Sequence, residues 1–138
     1  MFPFAIEIHP STFCGMATPS ETHGFPGDWD LASFFPAYDD AAVAAFKRQL
    51  SDDIAAARES AVALPPLRDE PDSLAAWEAI LLTAEEILKR YGHLASFIAC
   101  LSAADAANED YQKDEAWLSG LGSAFQKLFV PIDAGLKA

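Results

Sequence analysis

Basic residues are scarce in this chain: 9 Lys and Arg stand against 21 Asp and Glu across 138 residues, for a net charge of −12. Phosphate backbones and anionic lipid surfaces are bound by clustered Lys and Arg, so neither nucleic acid nor membrane is an expected partner. Cysteine is nearly missing. Cys14 and Cys100 have no C-x-x-C spacing and no histidine close in sequence, which removes both a disulfide framework and a zinc knuckle. No apolar run approaches the 18 or more residues of a membrane span. The opening MFPFAI has no basic n-region and only a short apolar stretch, so it is a poor secretion signal. These features together read as a cytoplasmic protein.

Strand signals are missing as well. No segment alternates with period two, and no Asn-Gly or Asp-Gly hairpin turn occurs. A hydrolytic zinc site needs two histidines one helical turn apart with a glutamate between them. His9, His23 and His93 have no such partners. Glu85 and Glu86 stand side by side, but adjacent helical positions diverge by about 100°, so they cannot face one substrate atom. The G-x-S-x-G elbow, the G-x-G-x-x-G loop and the phosphate-binding Walker pattern are all lacking. No catalytic constellation remains, and neither a catalytic nor a metal-binding residue is expected in this chain.

What is present is helix. Half of the residues are hydrophobic, and 138 residues suffice for one domain with a sizeable core. Asp39 and Asp40 are placed to cap a helix start, because a carboxylate accepts the free amide hydrogens there. Val43, Phe46, Leu50, Ile54, Ala57 and Ala61 then recur at three- and four-residue steps as one apolar stripe. The run LPPLRDEP, residues 64 to 71, ends this helix, since paired prolines lack amide donors. A second helix is predicted from Asp72 or Ser73. Leu74, Trp77, Leu81, Ala84, Leu88, Tyr91, Ala95, Ile98 and Leu101 form its apolar face, with Ile80, Ile87 and Leu94 alongside. Trp77, Leu81, Leu88 and Ile98 are expected to anchor the core, and Gly92 marks the place for a bend. The tract SAADAANED carries a turn, with Asp105 or Asn108 as the cap of the next helix. A third helix runs on through Tyr111, Leu118, Leu121, Phe125, Leu128 and Phe129 until Pro131 kinks or ends it, with a last turn around residues 132 to 136. Gly120 and Gly122 lie in this helical pattern, where close packing against a neighbour is expected.

The fold class is therefore all-α, an antiparallel bundle of three long helices with an irregular, aromatic-rich N-terminal segment. Residues 1 to 27 form an irregular leader, and residues 28 to 138 a single helical domain. MATPSETHGFPGDWDL, from Met16, reads as a natural protein start, with residues 1 to 15 an upstream extension. The stretch WDLASFFP, residues 29 to 36, carries more apolar surface than loops usually do. Trp29, Leu31, Phe34 and Phe35 are expected to pack across the ends of the long helices. Asp30, too costly to bury unpaired, is expected to cap a short turn running into Ala32 and Ser33.

WDLASFFP, followed by AVAAFKRQLSDDIAAARES and by SLAAWEAILLTAEEILKRYGHLASFIACLSAADAANEDYQ, resembles the N-terminal portion of the oligoendopeptidase F family, zinc metallopeptidases related to thimet oligopeptidase. Trp29, Asp30, Leu31, Tyr91, Asp105 and Tyr111 carry the match, an ordering of weak motifs over roughly residues 28 to 136. The resemblance implies an all-α domain forming part of the wall or lid of a channel for short peptides. It also implies that zinc belongs to a separate catalytic region bearing H-E-x-x-H and a downstream glutamate. None of those ligands has a counterpart here, so no cofactor is expected in this chain. The implied partners are a catalytic zinc-peptidase domain or short peptides. The alternative is a self-contained helical interaction or dimerisation module.

Overall fold

The computed structural model describes residues 31–137. Four helices follow one another: α1 (Ala41–Val62), α2 (Pro71–Ala104), α3 (Glu109–Gln126) and α4 (Phe129–Leu136). The described residues hold no strand. Trp29, Asp30 and the whole 1–27 leader lie outside the described residues, as does the proposed start at Met16.

The first three helices each begin for a local reason. Asp40 caps α1, its Oδ1 accepting from the Ala42 amide at 2.7 Å. Asn108 caps α3, accepting from the Asp110 and Tyr111 amides. Glu70 precedes α2 without a side-chain cap, and Pro71 starts that helix, where a missing amide donor costs nothing. This is one or two residues ahead of the expected Asp72 or Ser73, within the usual fraying of boundaries. The proline-rich link before α2 has no ladder of its own, and two α2 side chains satisfy it instead. Buried Ser73 donates from its hydroxyl to the Pro66 carbonyl and accepts from the Arg68 amide, both at 3.0 Å. Trp77 donates from its indole N–H to the Pro65 carbonyl at 3.0 Å.

α2 has no break at Gly92, and the expected end of the third helix gives way. α2 continues unbroken through Gly92 for 34 residues, about 51 Å. The third helix ends at Gln126, ahead of Pro131, and Pro131 sits in the first turn of α4. First-turn amides have no intrahelical acceptor, so proline is tolerated there.

α1 packs against α2, α3 and α4, while α3 also contacts α2 and α4. The α1 stripe falls as its spacing dictates: Val43, Leu50, Ile54, Ala57 and Ala61 are buried, and Phe46 packs beside them. In α2 the phase differs from the expected one. The buried line runs Ile80, Ile87 and Leu94, joined by Trp77, Ala84, Phe97 and Ile98. Leu88, expected to anchor the core, is 54% exposed; Leu81 and Leu74 are 46% and 47% exposed. The residues expected alongside are the centre of the face, and the leucines sit about 100° from their sequence neighbours Ile80 and Ile87.

Candidate functional site

The N-terminal turn is built on the aromatic side chains of residues 31 to 38. The amides of Phe34 and Phe35 both donate to the Leu31 carbonyl, folding the chain over Ala32 and Ser33. Phe35 is buried, with ring centroids 5.2 Å from Phe46 and 5.0 Å from Phe97, both in edge-on geometry. Phe34 and Leu31 are half-buried against the same core. His93 of α2 stands among these rings, 5.0 Å from Phe34 and 5.2 Å from Phe35. Its Nε2 lies 3.3 Å from the Phe34 carbonyl oxygen, a hydrogen bond in the tautomer protonated at Nε2. The histidine therefore joins the turn to α2, and no acid or hydroxyl partner stands beside it among the described residues to make a catalytic pair.

A polar cluster fastens the same turn to α3. Asp114 accepts from the Tyr38 hydroxyl at 2.9 Å and forms an ion pair with Lys47 of α1. The Lys47 ammonium also lies over the rings of Tyr38 and Trp117, 5.5 and 5.8 Å from their centroids. Tyr111 meets Tyr38 edge-on at 4.7 Å. Burial, and then the hydrogen bond to the Asp114 carboxylate, push the Tyr38 hydroxyl well above the usual phenolic range. Such a hydroxyl stays neutral and donating near neutral pH, which keeps its hydrogen bond to Asp114 in place.

The other residues singled out in the sequence are scattered. Tyr91 is half-buried and donates to the Leu118 carbonyl at 3.2 Å, lying against Gly122. Gly120, by contrast, faces open space. Asp105 ends α2 and accepts from the Ala107 amide. Trp77 is buried, its ring over Gly135 of α4. These are fastenings between elements, and they do not converge on one point. Among the described residues no group of three or more His, Cys, Asp or Glu could hold a metal. No described helix is long and apolar enough to cross a membrane.

Two surface features of the described residues adjoin α2. An open groove of about 860 Å³ runs between α1 and α2, its lining including small side chains such as Ala56 and Ala79. It passes the ion pair between Arg90 and Asp53 (2.7 Å). Burial pushes the Asp53 carboxyl up, but the hydrogen bonds from Arg90 and Gln49 and the Arg90 charge outweigh it and hold it below the usual range. The second feature is the solvent flank of α2, where Leu74, Leu81 and Leu88 lie seven residues apart and about half exposed. Apolar periodicity places the same leucines on the core face, so the sequence pattern gives no sign of this flank.

No family model, curated protein or solved structure matches this chain. Nothing in those comparisons links it to oligoendopeptidase F.

Proposed function

We propose that this chain is a non-catalytic helical module that binds a helix of another protein along the solvent flank of α2. One observation carries the reading: three leucines at heptad spacing, each about half exposed, on a helix whose adjoining face is locked in the core. A monomer gains nothing by leaving such a seam in water, whereas an amphipathic helix from a partner covers it in the way helices dock on apolar grooves. From Leu74 to Leu88 the seam extends about 21 Å, room for four turns of a partner. In this reading the bundle is antiparallel and the module works in the cytoplasm, in keeping with a cysteine content too low for a disulfide framework. The likeness to oligoendopeptidase F gives the same surface a more specific use: a catalytic zinc region would cover it, and this chain would wall a peptide channel.

The test is a labelled synthetic helix with leucines at heptad spacing and uncharged glutamines elsewhere, titrated into the full chain. Backbone amide shifts confined to residues 72 to 92, lost in a Leu81→Ser/Leu88→Ser variant, are expected. Shifts that fall elsewhere, or no binding at all, would remove the reading.

A further inference from the structure

We infer that the helix seated on α2 carries lysine or arginine along the border of its apolar seam, an inference that rests on the docking role proposed for this flank. On a helix, each residue's surface neighbours are three and four positions away. Glu78 is four after Leu74 and three before Leu81; Glu85 is four after Leu81 and three before Leu88. Two carboxylates thus sit between successive leucines on the outer edge of the seam, about 10.5 Å apart along the axis. The inner edge, Trp77, Ala84 and Tyr91, turns into the bundle.

Both glutamates are exposed, and the Glu78 carboxylate makes no hydrogen bond or ion pair among the described residues. Glu85 pairs with Lys89 at 2.9 Å, but both side chains are more than half exposed, so the bond competes with water and is readily exchanged. A second copy of this chain is a poor occupant. Pairing two such flanks would bring the Glu78 and Glu85 borders together, on molecules that each carry a net charge of −12. A partner helix with cations seven residues apart would instead meet one carboxylate per heptad. Charge pairing of this kind fixes register and speeds encounter, while the leucines supply the buried area.

Three leucine-seamed peptides, bordered by lysine, by glutamate or by glutamine, would be titrated against the full chain at low salt and at about 0.5 M salt, where screening shortens to a few Å. At low salt the lysine-bordered peptide should bind at least about tenfold more tightly than the glutamate-bordered one, with the gap closing as salt rises. In Glu78→Lys/Glu85→Lys the order of the two charged peptides should reverse. Both substitutions are at exposed positions, and far-UV circular dichroism would confirm the fold. Equal affinity for all three peptides would overturn the charge inference and leave the docking flank standing. So would a preference for lysine that survives the double charge reversal, since it would then arise from net charge elsewhere. A failure of all three peptides to bind would remove the docking flank itself. A dimer in sedimentation that dissociates on Leu81→Ser would assign the flank to a second copy and refute the inference.

Discussion

Ile87 and Leu88 are adjacent on α2, both aliphatic and equal in size, yet one is 0% and the other 54% exposed. Truncating each to alanine tests the helical phase on which the docking flank depends. Ile87→Ala removes a fully enclosed side chain and should cost about 2–5 kcal/mol, the range for large-to-small core changes. Leu88→Ala removes a side chain that already faces water; a surface change of this kind should stay within about 0.5 kcal/mol of the parent. Alanine's slightly better helix propensity offsets part of even that loss. Urea titration followed by circular dichroism at 222 nm reads both values. With a slope of about 2 kcal/mol per M, the middle of the usual range, Ile87→Ala should lower the midpoint by roughly 1–2.5 M, against about 0.25 M at most for Leu88→Ala. Equal losses for the two variants would refute the reasoning, because Leu88 would then be inside and the leucine seam would not exist as a surface.

Further outcomes follow from particular contacts. Gly92 is exposed within α2 and a methyl there would meet nothing, so Gly92→Ala should stabilise by about 0.5–1 kcal/mol in the same titration. Gly135→Ala would drive a methyl into the Trp77 indole and should lower the midpoint by about 1–3 kcal/mol equivalent. The raised pKa of Tyr38 means that its contribution is complete below the unfolded value near 10 and is lost as pH climbs beyond it. Tyr38→Phe should therefore flatten the alkaline fall in stability measured above that pH. Asp53 has the opposite sign: its lowered pKa adds stability above the unfolded value near 3.8, lost as pH falls through the folded one, so Asp53→Asn should show a shallower acid limb. The purified chain should neither retain stoichiometric zinc nor cleave short peptides, as elemental analysis and a chelator-controlled peptide assay would show.

The contrast between α1 and α2 explains what could be read from the chain. In α1 the apolar stripe is bounded by Lys47, Arg48, Asp52, Asp53, Arg58 and Glu59, so one face alone is available for burial. In α2 two apolar lines run side by side, Leu74–Leu81–Leu88 and Ile80–Ile87–Leu94, with identical spacing. Periodicity identifies the helix there but cannot choose its phase, because the choice is made by α1 and α3. The caps at Asp40 and Asn108 were legible, being set within two or three residues. The clamp of Tyr38 and Asp114 joins residues 76 apart, and no local rule brings them together. Likewise the break between α3 and α4 falls at Lys127 and Leu128, where the Leu128 amide turns back to the Phe125 carbonyl, and not at the proline that signalled it.

That misjudged phase is also the most informative feature of the molecule. A helix of 34 residues held by a core on one side alone is exposed to bending, and this one is tied near its start by Ser73 and Trp77 and farther along by the aromatic turn at His93 and Phe97. Between those ties lie Leu74, Glu78, Leu81, Glu85 and Leu88. A flank fixed in this way presents its side chains on a backbone that need not be ordered when a partner arrives, which reduces the entropic cost of association. The clamps themselves contain no reactive pair: His93 faces phenylalanines, and the Tyr38 hydroxyl is held neutral. Among the described residues Tyr38, Lys47, Asp114 and His93 join one element to the next. On this flank of α2 three leucines edged by two carboxylates face solvent, and the proposed docking role rests on that arrangement.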